Sequence, residues 1–313
     1  MTPSGTSNEL EIKFSNNSLA KHTKLSLNPN FVTGLVEAEG SFSITKHKDK
    51  RAKHGINIGL RFKLSMLSNE IQLLTMVKSF FNCGKISIDK NDVVNFEIKD
   101  IDTINKYLLP HFCNYPLRGT KYLDYLSFKK TLDLINSKEH LTKKGIDENI
   151  EISNSMNSYR EFPENYLPDH TMEINYNYIP ISGDYINGFI AGDGCLAFNT
   201  KDKNFGRMSL QISQHKYNKF LLISIGKYFK SASKIYYHDV NSLQLTLSGA
   251  KLWDTIIFDH FNNYALHGTK AIRLNKFYLI RELMLNKNHL MKVGRFRKWK
   301  PEVKLQIIKI WED

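Results

Sequence analysis

Two rhythms of apolar and polar residues recur along the chain. FVTGLVEAEG (31–40) and YINGFIAGDG (185–194) have helix-start residues just upstream, Pro29 and Asn30 in one case and Ser182, Gly183 and Asp184 in the other. Each closes on a glycine where a helix must give way to a strand, so both are predicted helices. Downstream, GKISI (84–88) and VNFEIKD (94–100), then SKIYY (233–237) and LQLTLSG (243–249), alternate apolar and polar residues as half-buried strands do. Later the spacing returns to three and four: Tyr122, Tyr125, Phe128 and Leu132 in one segment, Phe277, Ile280 and Leu283 in another, the core positions of helices. Each half of the chain thus predicts helix, strand, strand, helix, strand, strand, helix.

The halves are copies of one another. The segment from Tyr115, YPLRGTKYLDYLSFKK, aligns with YALHGTKAIRLNKFYL from Tyr264, so that Lys121 meets Lys270, Phe128 meets Phe277, His140 meets His289 and Gly145 meets Gly294, every pair 149 positions apart. The strand segments keep the same offset. Glu39 lies opposite Asp193 at an offset of 154, and the surplus falls between the first two strands, where hairpin loops absorb insertions. These boundaries divide the chain into a lead-in (1–25), a first repeat (26–145), a linker (146–180) rich in Asn, Pro and acidic residues, a second repeat (181–300) and a closing helix (301–313) begun by Pro301.

Composition narrows the possible partners. With 41% hydrophobic residues the chain can build cores, and a formal charge of +13 exceeds anything a core requires, which points to a polyanion. No apolar run is long enough to span a bilayer, and residues 1–25 show neither a signal-peptide core nor an Arg-rich presequence. Cys83, Cys113 and Cys195 are far apart and outside any Cys/His ligand spacing, so they read as reduced thiols.

In each predicted helix small residues recur four apart, Gly34 with Ala38 and Gly188 with Gly192, making a flat stripe on which two helices can pack closely. Glu39 and Asp193, just before the terminal glycines, would then emerge together at the end of the pair. Both segments resemble the LAGLIDADG motif. The first keeps Gly34, Leu35, Ala38 and Gly40 with Glu at 37 and 39; the second keeps Gly188, Asp193 and Gly194, with Ala191 for the earlier acid and Gly192 for the alanine.

The resemblance implies a single-chain, double-motif homing endonuclease. Its fold is α+β, two pseudo-symmetric αββαββα repeats, each with a four-stranded antiparallel DNA-binding sheet, packed through the two motif helices. By the same resemblance Glu39 and Asp193, with the backbone at Ala38 and Gly192, hold catalytic Mg2+, for which Mn2+ can substitute while Ca2+ supports binding alone. Lys121 and Lys270 offset charge near the two sites, and Gln211 and Lys63 reach into the water network. Parity along the strands gives the DNA-facing residues: Ser41, Ser43, Thr45, His47, Arg61, Lys63 and Ser65 in one half, Asn199, Lys201, Ser209, Gln211 and Ser213 in the other. Lys48, Arg51, Lys203 and Arg207, in the basic segments 46–54 and 201–207, are expected at phosphates, and Lys85 and Lys234 are further expected DNA contacts. The partner expected is a double-stranded DNA target, with the chain's own intron RNA as a second candidate, and the chain is expected to act as a monomer. By resemblance its place is the mitochondrion. The competing reading, in which Glu39 and Asp193 merely end helices, is a silent nucleic-acid binder such as an intron maturase. A hydrolase of small molecules finds no support in duplicated basic strands.

Overall fold

The structure, a computed structural model, describes residues 26–163, 180–201, 205–231, 235–285, 289–293 and 296–312. The lead-in, residues 164–179 of the linker, Lys203, Lys234 and Gly294 lie outside them. The first repeat runs α1 (Pro29–Glu39), β1 (Gly40–Lys48), β2 (Ile56–Leu67), α2 (Ile71–Phe81), β3 (Lys85–Ile88) and β4 (Val93–Ile98). It continues with α3 (Ile101–Thr103), a π turn over Ile104–Leu108, α4 (Leu109–Asn114), α5 (Lys121–Asn136) and α6 (Lys143–Asn154). The second repeats the order: α7 (Gly183–Asp193), β5 (Gly194–Phe198), β6 (Met208–His215), α8 (Lys219–Tyr228), β7 (Ile235–Tyr237), β8 (Ser242–Ser248), α9 (Ala250–Leu252), a π turn over Trp253–Ile257, α10 (Phe258–Asn263) and α11 (Thr269–Met284). A hairpin, β9 (Leu290–Val293) and β10 (Phe296–Trp299), and α12 (Pro301–Glu312) complete the chain.

Each repeat holds a four-stranded antiparallel sheet, ordered β1-β2-β4-β3 in the first and β5-β6-β8-β7 in the second. The registers correspond, with Gly40 opposite Leu64 and Gly194 opposite Ile212. Alternation gives each sheet a buried face under the helices and an open one. In the first repeat Phe42, Phe62, Phe96, Phe112 and Phe128 are all at most 1% exposed and meet edge to face, Phe42 with Phe112 and Phe128 across the sheet–helix contact and Phe62 with Phe96 between strands. Tyr125, Leu132, Phe277 and Ile280 are buried core positions, as their spacing predicts.

Two local features differ from expectation. The first turns of the predicted linker are helix α6, capped by the Thr142 side chain on the Gly145 N–H. Its buried positions, Ile146, Asn149 and Ile152, keep helical spacing, but the polar Asn149 masks the stripe in sequence; its Nδ2 donates to Gly145 O at 2.7 Å, while its buried Oδ1 has no partner among the described residues. The terminal glycines of α1 and α7 also act differently from a left-handed cap. Both have ordinary negative φ near −77°. Close approach is what requires them: a Cβ on Gly40 would lie 2.6 Å from Val36 O, and one on Gly194 2.7 Å from Ile190 O.

Candidate active site at the ends of two packed helices

Helices α1 and α7 meet backbone to backbone. A Cβ on Gly34 would fall 1.9 Å from Tyr185 O, and its counterpart on Gly188 would fall 1.9 Å from Phe31 O. Further along, a Cβ on Gly192 would be 2.3 Å from the Ala38 methyl and 2.9 Å from Glu39 Cγ. The small-residue stripes thus form the interface, and they bring Glu39 and Asp193 together at one end of it. Two buried histidines at matching places hold the helices from behind: His111 Nε2 lies 3.0 Å from Thr33 Oγ1 on α1, and His260 Nε2 lies 2.7 Å from Asn187 Oδ1 on α7.

Both acids are half-buried, and both carboxyls titrate above their ordinary range. For Glu39 the causes are burial and then the charge of Asp193, opposed by Lys270 and Lys121; for Asp193 burial is opposed by the same two lysines and by a hydrogen bond from Gln214. Two like charges held in a half-buried site, facing two ammonium groups, are a set of hard oxygen donors whose repulsion a divalent cation would relieve. Among the described residues no cluster of three or more Asp, Glu, His or Cys side chains could hold a metal ion. A cation at this place would be held by the two carboxylates, its remaining positions left to water and phosphate oxygens.

The lysines arrive from the ends of α5 and α11. Lys121 Nζ donates to Val36 O at 3.1 Å and Ala38 O at 3.0 Å; Lys270 Nζ donates to Ile190 O at 3.0 Å and also to Gly192 O. Ala38 O and Gly192 O are carbonyls that a helix end leaves unpaired, while Val36 O and Ile190 O also accept the N–H of Gly40 and Gly194. The Ala38 and Gly192 carbonyls named above as metal ligands are therefore already engaged, each keeping one lone pair. Burial depresses both ammonium pKa values, and the neighbouring acids offset part of that.

Gln211 and Lys63 stand on the second strands of the two sheets. Gln211 lies opposite Cys195 on the open face of the sheet and donates to Ser209 Oγ at 3.3 Å; Lys63 lies between Ser41 and Glu97. The side chain that donates to Asp193 Oδ2 is Gln214. It sits on the helix-facing parity of β6, which a search restricted to the DNA-facing parity passes over. Position 66, its structural counterpart by register, is a buried methionine. Sequence reasoning also missed Glu37, whose Oε2 accepts from Arg118 N at 2.6 Å, Gly119 N at 3.0 Å and Tyr185 Oη at 3.1 Å. The signal available was its alignment with Ala191, which shows the two repeats diverging there.

On the open face of the first sheet Ser41, Ser43, Thr45, Arg61, Lys63 and Ser65 are part-exposed and His47 and Lys85 exposed, while Lys48 at the end of β1 and Arg51 in the turn after it are also exposed. In the second half Asn199, Gln211 and Ser213 are part-exposed and Lys201 and Arg207 exposed, whereas Ser209 is 8% exposed with its hydroxyl on Ala197 O. Asn199, Lys201, Arg207, Gln211 and Thr246 line an open concavity there, together with Ala197 and Phe198. An acid stands among the bases: Glu97 on β4 pairs with Lys99 at 2.6 Å and Arg61 at 3.7 Å.

Residues 32–132 and 186–280 match the family model described as LAGLIDADG endonuclease. The chain belongs to the LAGLIDADG endonuclease family. It is 30% identical over 286 residues to "Probable intron-encoded endonuclease 2" and 29% identical over 285 residues to "Probable intron-encoded endonuclease 3", both of Neurospora crassa, covering 86% and 87% of this chain. It spans 63% and 53% of the lengths of those two relatives. Among solved structures, the meganuclease I-SmaMI bound to uncleavable DNA superposes with a TM-score of 0.79 at 28% identity, over 91% of this chain and 97% of that one. I-SmaMI is also known bound to an uncleaved DNA target with calcium ions and bound to cleaved DNA. The two sheets joined through α1 and α7 are the LAGLIDADG meganuclease fold.

Proposed function

We propose that this LAGLIDADG protein is a site-specific endonuclease that cuts both strands of a long, partly asymmetric DNA target in the presence of Mg2+ and so initiates intron homing. The observation that carries the reading is the convergence of one carboxylate from each repeat, Glu39 and Asp193, with one lysine from each, Lys121 and Lys270, between two open basic sheets. A divalent ion held by the carboxylates would polarise a phosphoryl oxygen and lower the pKa of a bound water. The chain's own residues do the rest. Lys121 and Lys270 bring positive charge to the place where phosphoryl charge develops. The sheets fix the duplex across the pseudo-twofold axis so that each strand meets the site in register. Arg61 and Gln211 suit guanine and adenine edges, while Lys48, Lys85, Lys201 and Arg207 suit phosphates. Since these faces differ between repeats, so do the half-sites they fit. The intron-encoded relatives support an origin within an organelle intron, and a mitochondrial site of action is part of the same reading.

The test is to incubate the protein with a randomised duplex library in Mg2+ or Mn2+, and separately in Ca2+, and sequence the ends produced. Cutting at one family of sites with Mg2+ or Mn2+, binding alone with Ca2+, and loss of at least about a hundredfold in cutting by Glu39→Ala or Asp193→Ala are expected. Binding without metal-dependent cutting would overturn the nuclease reading in favour of a silent binder, and undiminished cutting by both variants would overturn the site.

A further inference from the structure

The helix that carries each lysine is capped by a side chain from the opposite repeat. At the start of α11, Thr269 donates through its N–H to Glu70 Oε1 at 3.1 Å and through its hydroxyl to the same oxygen, although 199 positions separate the two residues. At the start of α5, Thr120 N donates to Asn218 Oδ1 at 2.8 Å across 98 positions. Glu70 and Asn218 are 6% and 8% exposed and occupy corresponding places, each ending the short 3-10 turn that leads from the second strand of its repeat into α2 or α8. The glycine before each threonine makes room. A Cβ on Gly268 would lie 2.4 Å from Glu70 Oε2, and one on Gly119 would lie 3.1 Å from Asn218 Oδ1.

We propose that Glu70 and Asn218 are reciprocal positioning residues, by which the first repeat sets the place of Lys270 and the second sets the place of Lys121. The lysine is in each case the residue after the capped threonine, so the cap fixes the first turn of the helix from which the ammonium reaches its two carbonyls. Burial of two polar side chains at equivalent places, each bonded across the pseudo-twofold axis, is more than either helix needs for its own folding, since a local Ser, Thr or Asp supplies an N-cap without help.

The two devices are unequal. Asn218 Nδ2 also donates to Gln214 Oε1 at 2.9 Å, and Gln214 donates in turn to Asp193, so an unbroken line of hydrogen bonds links the Thr120 amide to an active-site carboxylate. In the first repeat Met66 stands where Gln214 would be, and the line stops at Glu70. Glu70 instead brings a negative charge that acts on both Glu39 and Lys270. The caps therefore divide the double-strand cut into two separately tunable halves.

This inference rests on the nuclease reading above and is tested on a supercoiled plasmid carrying the site that the wild-type protein selects from the library in Ca2+. Strand-specific end labels follow each nick. Glu70→Ala and Asn218→Ala are expected to hold the target in Ca2+ as the wild type does while slowing one strand's cut at least about tenfold, the slowed strand being opposite in the two variants. Glu70→Gln, which keeps the accepting oxygen, is expected to recover most of the lost rate, whereas Asn218→Asp keeps the oxygen toward Thr120 but loses the donor to Gln214 and is expected to recover only part of it. Should an alanine variant fail to fold, as judged by its melting curve, Glu70→Asp and Asn218→Ser shorten the reach instead and are read in the same way. Equal slowing of both strands in each variant, or no slowing, overturns the proposal. A wild-type protein that binds and never cuts overturns the nuclease reading itself, an outcome separate from loss of strand bias among active variants.

Discussion

Glu97 stands among Arg61, Lys63, Lys85 and Lys99 on the first sheet, and its two ion pairs differ. Lys99 is held at 2.6 Å, whereas Arg61 stands off at 3.7 Å, part-exposed and with its Nε buried and unpaired among the described residues. An arginine placed so retains donors for an outside acceptor, and a guanine edge is the acceptor its fork fits. Arg61→Ala is expected to relax one base-pair preference in the half-site facing the first repeat by about 1–3 kcal/mol, with the other half-site unchanged. Glu97→Gln removes a negative charge from the binding face and is expected to raise affinity for unrelated DNA more than for the selected site. Library selection with each variant, and competition binding at fixed salt, read the two effects. A uniform loss across all positions in Arg61→Ala would mean that Arg61 meets phosphate instead.

At the scale of elements the packing of α1 on α7 leaves no slack. Gly188→Ala would place a methyl 1.9 Å from the Phe31 carbonyl oxygen and 2.8 Å from the Leu35 nitrogen, both backbone atoms of the facing helix, so the helices must part. A loss of about 3 kcal/mol or more is expected in urea unfolding, the upper range for overpacking, with cutting lost along with it because Glu39 and Asp193 separate. This interface was legible in sequence, because small residues four apart leave a mark that survives without a partner in view. So was the αββαββα order, since the duplication, at offsets of 154 for the first helix and 149 for the later segments, supplied two readings of the pattern. What stayed hidden depends on contacts that sequence spacing does not encode. Glu70 meets Thr269 only after both repeats have folded. Gln214 points to the helix side of β6, where parity predicts core, but at the end of that strand the helix side is the tip of α7. The hairpin β9–β10 stands where the first repeat forms α6, so the repeat signal misleads there.

For the whole molecule the buried histidines link stability to pH. His111 and His260 sit at matching positions against α1 and α7, and burial holds their imidazoles neutral, lowering the pKa of His111 to about 4 and that of His260 to about 3. In the unfolded chain both return to about 6.5. Between these values the unfolded chain binds protons that the native protein refuses. Stability from this source is therefore full above about pH 6.5 and falls as the pH drops through it, by about 1.4 kcal/mol per pH unit for each histidine. The fall ends only where the native imidazoles themselves protonate. Glu37, Glu39 and Asp193 act in the other direction, because their raised native pKa values let the folded protein take up protons before the unfolded chain does. The difference between wild type and a His111→Gln, His260→Gln double variant isolates the imidazoles: the wild-type curve should be the steeper one between pH 6.5 and about pH 5, and the two should run parallel above pH 7. Urea unfolding at a series of pH values measures both slopes. Parallel curves throughout would show that the histidines are not held neutral in the native protein, and that the grip on the two motif helices is not what acid weakens.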